Sequence, residues 1–255
     1  MVRVTGRPVT LRRGASPAGL LLVAAAAAWV WVVTRWGGME AMPGTMGLGL
    51  PAFLAVWTLM MAAMMLPATA PVGALYARTI TVHRAPRMVV FTVGYLLVWA
   101  AVGLPAYGLA AGLGRVESLP ASAGTAVAAT VFAVNGVYQL TPLKDRCLAR
   151  CRSPIALMLR YASYAGPSRD LRAGAHHGAF CLGCCWSLMV LLAAFGVMNL
   201  WAMVALTAVI TTEKLAPAGR LVARVVGIAS IALAVAVFWF PELAPGLTGG
   251  GMARM

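Results

Sequence analysis

The run Gly178-Ala-Phe-Cys181-Leu-Gly-Cys184-Cys185-Trp186-Ser-Leu-Met189-Val-Leu-Leu-Ala-Ala-Phe-Gly-Val197 carries no charged residue. About 20 predominantly apolar residues suffice to cross the hydrocarbon core of a bilayer as a helix. The run follows a polar, basic segment, Arg169 to His177, and holds three of the five cysteines of the chain. A membrane helix that begins with thiols is thus the element from which the rest can be read outward.

The composition agrees. Of 255 residues, 62% are hydrophobic and 10% charged, against about 25% charged in globular domains. A water-soluble core cannot absorb so much apolar surface, so the solvent is a lipid bilayer. Six further apolar segments lie at 18–33, 50–71, 89–112, 121–142, 199–213 and 220–240. They predict an all-α polytopic transmembrane helical bundle of about seven helices. The segment 199–213 is short and bounded by Asn199 and Glu213, so a six-span bundle with 178–213 as a broken or re-entrant pair is the alternative. The expected layout is a basic cytoplasmic N-terminal segment at 1–17 and a membrane domain at 18–240 with a cytoplasmic loop at 143–177. A flexible, Gly-rich tail follows at 241–255. The first helix is expected to stay uncleaved, because no small-x-small site follows it. Its Trp29, Trp31 and Trp36 suit a membrane interface. Pro67 and Pro71 predict a break or kink in the second helix. Small residues, as at Gly108-x3-Gly112, are expected to let helices approach closely.

Charge orients the bundle. Arg3, Arg7, Arg12 and Arg13 precede the first helix, and Arg78, Arg84 and Arg87 follow the second. Lys144, Arg146, Arg150, Arg152, Arg160, Arg169 and Arg172 follow the fourth, and Lys214, Arg220 and Arg224 the sixth. The opposite side keeps only Arg35, Arg115 and Arg254. Cytoplasmic loops retain Lys and Arg, which predicts N-in/C-out in a bacterial inner (plasma) membrane. The net charge of +14 is accounted for by this asymmetry. No basic patch with interleaved aromatics is present, so no nucleic-acid partner is expected.

All five cysteines then face the reducing cytosol, where metal binding or redox chemistry outweighs structural disulfides. On a helix, positions three or four apart share a face. Cys147 and Cys151 form one such pair, and Cys181, Cys184 and Cys185 form a triplet. Four thiolates suit zinc or an iron–sulfur cluster, and two or three suit copper(I). His177, one turn before Cys181, can complete a Cys/His site; the alternative is that His176 and His177 are a solvated pair at an anionic lipid surface. In the second helix, Met60/Met64 and Met61/Met65 are two i, i+4 thioether pairs, ligands for copper(I) as well as ordinary packing residues. Glu213 and Lys214 are ionisable groups at membrane depth and therefore functional candidates. Asn135 and Gln139 suit interhelical hydrogen bonds. There is no Walker loop, Gly-x-Ser-x-Gly elbow or His-Glu-x-x-His, so a binding protein is favoured over an enzyme.

Five blocks carry a family resemblance. They are Trp57-x2-Met60-x3-Met64-Met65-x-Pro67 and Pro142-Leu-Lys144-x2-Cys147-x3-Cys151-Arg-x-Pro154. Gly174-x3-Gly178-x2-Cys181-x-Gly183-Cys184-Cys185-Trp186-x2-Met189 comes next, then Gly196-x-Met198-Asn199-x-Trp201 and Glu213-Lys214. Together they resemble the bacterial family of predicted metal-binding integral membrane proteins, a domain-of-unknown-function family with some members labelled copper chaperones. The resemblance runs from the second helix to the seventh and implies metal binding, with copper as the metal.

The expected function is copper(I) trafficking, or metallation of a metal-receiving partner protein, through a cysteine cluster at the cytoplasmic membrane face. Cys147, Cys151, Cys181, Cys184, Cys185 and His177 are the candidate ligands, with Met60, Met61, Met64 and Met65 as a relay. One alternative is a membrane thiol–disulfide oxidoreductase, which the Cys181-x2-Cys184 spacing permits and the cytoplasmic placement opposes. The other is an assembly or scaffold subunit whose cysteines merely pack.

Overall fold

A computed structural model of the protein describes residues 17–36, 45, 47–116, 121–197 and 199–248. The N-terminal basic segment and the last seven residues lie outside this range. The described residues form ten α-helices and one short 3-10 helix, with no strand. The helices are α1 (Pro17–Trp36), α2 (Leu50–Arg78), α3 (Arg84–Val116), α4 (Ala121–Gln139), α5 (Pro142–Cys151), α6 (Pro154–Ala162), α7 (Arg169–Phe195), α8 (Leu200–Leu215), α9 (Gly219–Ala236) and α10 (Pro245–Thr248). Pro241–Leu243 is the 3-10 helix.

Each of the seven apolar segments falls on a helix. Four helices are long and apolar enough to cross a membrane: Leu50–Arg78, Arg84–Gly112, Arg169–Phe195 and Gly219–Ala236. Ser122–Gln139 and Pro142–Cys151, bent by 65°, would together make a fifth span. The apolar part of α1, Gly19–Arg35, is shorter, and α8 has 16 residues. Valines, leucines and isoleucines such as Val23, Leu97, Leu221 and Ile228 stand exposed on the outer faces of α1, α3 and α9. The polar side chains Asn135, Gln139, Lys144 and Glu213 are buried inside. This inversion suits a lipid solvent. Asn135 Nδ2 donates to Ser230 Oγ (2.8 Å) and Gln139 Nε2 to Glu213 Oε1 (3.1 Å), the interhelical bonds expected of them.

The helices depart from the sequence reading in four places. First, the region 143–177 is mostly helical. Thr141 caps α5, accepting from the Lys144 N–H (3.2 Å), and Pro142 opens the helix. Asp145 in the first turn and Arg150 in the last complement its dipole. The basic segment 169–177 is the first part of α7.

Second, α2 runs unbroken through Pro67 and Pro71 to Arg78. A proline removes the bond to the carbonyl four residues back, here that of Ala63. The Trp29 indole donates to that carbonyl (3.0 Å). Trp29 thereby pins α1 to α2.

Third, close packing falls on other glycines. A Cβ at Gly108 or Gly112 would meet nothing within 4 Å. One at Gly174 would lie 1.9 Å from the Phe91 carbonyl oxygen, and one at Gly94 2.3 Å from that of Leu171. These glycines bring α3 and α7 into backbone contact, and the obstruction is main chain that cannot rotate away. Gly174→Ala is expected to cost at least about 3 kcal/mol and to abolish a monodisperse peak on fluorescence-detected size exclusion. Gly108→Ala should elute as wild type, and equal behaviour of the two variants would refute this packing.

Fourth, residues 241–248, expected in the flexible tail, form the 3-10 helix and α10, and α10 packs on α4 and α7. Ala244 and Leu247 are buried there. Composition had suggested flexibility, but here glycine permits approach. A Cβ at Gly246 would lie 2.4 Å from the Gly196 nitrogen, and one at Gly124 2.3 Å from the Leu247 carbonyl oxygen. Gly196 ends α7 with φ +99°, a conformation that favours glycine. Asn199 then caps α8, accepting from the Ala202 N–H (3.1 Å).

Helix α7 is the centre, packed on α3, α4, α5, α8 and α10, while α2 packs on α1, α3, α6 and α8. Tyr76, Arg87 and Asp170 tie α2, α3 and α7 together near the start of α7. The Tyr76 hydroxyl donates to Asp170 Oδ1 (2.5 Å), and Arg87 makes two bonds of 2.9 Å to the same carboxylate.

Candidate functional site

The N-terminal half of α7, the C-terminal half of α2, and the ends of α5 and α8 meet around sulfur. Cys181, Cys184 and Cys185 are buried on the inner face of α7, as the three- and four-residue spacings require. Cys151, the last residue of α5, brings its Sγ to 3.7 Å from that of Cys184. Cys185 Sγ lies 3.9 Å from Met65 Sδ. Two sulfurs each about 2.3 Å from one tetrahedral ion lie roughly 3.8 Å apart, so both contacts have the separation of shared ligands. All five cysteines are free thiols.

Cys181 is placed differently. Its Sγ meets the Tyr95 hydroxyl of α3 at 2.9 Å and receives a hydrogen bond from Lys214 Nζ of α8 at 2.8 Å. Its carbonyl accepts from the Cys184 thiol (3.1 Å) and the Cys185 thiol (2.8 Å). The thiols of Cys184 and Cys185 are thus joined through one backbone oxygen, that of Cys181.

Beside the thiols runs a polar network, buried at Lys144, Glu213 and Gln139 and half-buried at Arg152. Lys144 Nζ donates to Glu213 Oε2 at 2.6 Å and also to the Cys184 carbonyl. Glu213 Oε1 accepts from Gln139. Arg152 Nη1 donates to the Glu213 carbonyl (2.7 Å), and Nη2 to that of Pro217 (3.1 Å). A cleft of about 330 Å³ opens beside Cys151 and Lys214, lined by Pro71, Leu75 and Arg78 of α2 and by Arg152.

Of the sequence candidates, the structure brings together Cys151, Cys184, Cys185 and Met65, with Cys181 adjoining through Tyr95 and Lys214. Cys147 is half-buried and lies beside Gly183, where a Cβ would come within 3.1 Å of its Sγ. Met60, Met61 and Met64 are buried in the core, and Met65 accepts from the Cys185 thiol. His177 is buried with its ring against Phe91 and Tyr95 and its Nδ1 unpartnered. His176 turns to Tyr161, Tyr164 and Phe180. Among the described residues, no group of three or more His, Cys, Asp or Glu side chains is arranged as the ligands of one metal ion. The soft donors form two adjoining pairs, one thiol–thiol and one thiol–thioether.

Sequence reasoning missed Tyr95 and Lys144. Tyr95 had no signal, being one aromatic residue in an apolar helix. Lys144 was counted with the loop charges, although Pro142-Leu-Lys144 directly follows an apolar span. Lys214 was noticed as an ionisable group at membrane depth, but its bond to Cys181 was not foreseen.

No curated protein and no solved structure matches the chain. The family PpoB2, described as copper chaperone, matches residues 54–237, a range containing every sulfur and charge of this site. With well over half its length matched, the chain belongs to the PpoB2 copper-chaperone family.

Proposed function

We propose that this protein is a multi-pass bacterial inner-membrane protein that binds copper(I) at its cytoplasmic face and passes it to a partner protein. Copper is cargo here. Cys151, Cys184, Cys185 and Met65 would hold it, and Cys181 would exchange with them. The carrying observation is the contact of Cys151 with Cys184 at 3.7 Å beside Cys185 and Met65 at 3.9 Å. These residues come from three separate helices of a chain whose family is described as copper chaperone. Soft thiolate and thioether donors, with no carboxylate among them, favour copper(I) over harder ions. The orientation rests on the basic residues at this end of the bundle. A seven-span, N-in/C-out bundle accommodates it, with α1 and α8 as the two shorter spans.

Anaerobically purified protein is expected to carry near-stoichiometric copper by mass spectrometry, and the Cys181/Cys184/Cys185→Ser triple variant less than about a tenth of it. Zinc or iron in place of copper would keep the site and overturn the cargo. No metal in the wild type would favour the second reading, a thiol–disulfide oxidoreductase, which the Cys151–Cys184 approach also suits. If neither metal nor thiol exchange depended on these cysteines, the scaffold reading would stand.

A further inference from the structure

Two lysines flank the thiols, Lys144 fully buried and Lys214 half-buried at the cleft, and their partners differ. Lys144 is neutralised by Glu213 at 2.6 Å. Lys214 has no carboxylate partner among the described residues. It donates to Cys181 Sγ at 2.8 Å and acts electrostatically on Cys151, Cys184 and Cys185 as well. Partial withdrawal of an ammonium group from water favours a counter-anion beside it. Among the described residues the group it touches is the Cys181 sulfur, which can supply that anion as a thiolate or as part of a complex built on the thiols. The cleft that reaches Cys151 is lined by Arg78, Arg152 and Lys214, with no carboxylate in its lining. A mouth of one sign repels a free metal cation and concentrates anions.

We infer that the copper this protein takes up arrives as an anionic bis-thiolate copper(I) complex, drawn into the Arg78–Arg152–Lys214 cleft, with Lys214 balancing the charge of the complex formed on the protein thiols. This rests on the copper reading above and specifies its donor. The exchange balances without an outside reagent. A complex of copper(I) with two small thiolates, net charge −1 from its sulfurs, meets two protein thiols. Two protein sulfur–copper bonds form and two donor sulfur–copper bonds break. The two protein thiol protons leave with the two donor sulfurs as neutral thiols. Copper stays copper(I). One negative charge remains at the site, and Lys214 offsets it. A divalent ion on the same two thiolates would leave the chamber with the ammonium charge uncompensated.

The test keeps two alkyl thiolates on copper(I) and changes the charge of the donor complex. Copper(I) is presented anaerobically as its bis-complex with 3-mercaptopropionate, with 2-mercaptoethanol or with cysteamine, and transfer to the full-length protein in detergent is timed. The wild type should accept copper from the mercaptopropionate complex at least about tenfold faster than from the cysteamine complex at low ionic strength. The mercaptoethanol complex should fall between them, and the preference should shrink as salt rises. Lys214→Met and Arg78→Gln should each reduce the ratio, and Lys214→Arg should keep it. Arg78 is exposed at the cleft, so Arg78→Gln is informative even if Lys214→Met folds poorly. Equal rates from all three donors in the wild type would overturn the inference while leaving copper binding intact. Failure to retain copper from any donor would remove the copper reading itself, and this inference with it.

Discussion

Lys144→Met is expected to destabilise the protein by about 3–5 kcal/mol, the cost of stranding one partner of a buried ion pair. Lys144 is fully buried and Glu213 nearly so. Their 2.6 Å contact joins α5 to α8, while Gln139 brings in α4 and the Cys184 carbonyl brings in α7. Removing the ammonium leaves Glu213 with only the Gln139 amide on its carboxylate. The double variant Lys144→Met/Glu213→Leu should recover most of the loss, because two packed apolar groups replace two desolvated charges. Thermal melts in detergent, followed by size exclusion, would resolve the order wild type, double variant, Lys144→Met. A single variant that melts with the wild type would mean that the pair carries no structural weight. The double variant also isolates a functional question. If it folds but binds copper weakly, the bond from Lys144 to the Cys184 carbonyl positions that thiol.

The fold was legible where bulk hydrophobicity decides it. Seven apolar segments matched seven helices, since a helix satisfies its backbone groups within one segment, and four or five of them are long and apolar enough to cross a membrane. What escaped was set by single tertiary contacts. Pro67 breaks no helix because Trp29, 34 residues away in sequence, takes up the carbonyl it frees. Gly108 and Gly112 have the spacing of a packing motif and face open space, whereas Gly94 and Gly174 meet backbone. Spacing along one helix says nothing about which face a neighbour covers. The site divides similarly. The face shared by Cys181, Cys184 and Cys185 follows from helical periodicity alone. That Cys151 and not Cys147 reaches Cys184 depends on how α5 turns back at 65° from α4, which local sequence does not encode. Lys214 and Tyr95 on Cys181 are long-range contacts of the same kind.

Copper affinity should therefore separate the two cysteines of α5, which sequence treats as equivalent. Cys184→Ser is expected to lower copper(I) affinity by at least about 100-fold, or about 2.7 kcal/mol, in competition with a chromophoric copper(I) chelator. It removes the sulfur that approaches Cys151 and leaves the backbone carbonyl that Lys144 holds. Loss of a direct ligand should exceed the 10- to 100-fold typical of outer-sphere changes. Cys151→Ser should follow it, because the hydroxyl oxygen is a hard donor where the ion prefers soft ones. Cys147→Ser should stay within about threefold of the wild type, since its half-buried sulfur lies beside Gly183 and takes no part in the sulfur–sulfur hydrogen bonds that Cys151 and Cys185 make. Met65→Leu should fall between, as a neutral thioether contributes less than a thiolate yet lies 3.9 Å from Cys185. A result with Cys147 and Cys151 equally damaging would mean that α5 rotates on loading to offer both thiols. The bound state would then differ from this structure at the junction of α4 and α5, where Thr141 and Pro142 start a new helix, and the rotation would have to break the Lys144–Glu213 pair.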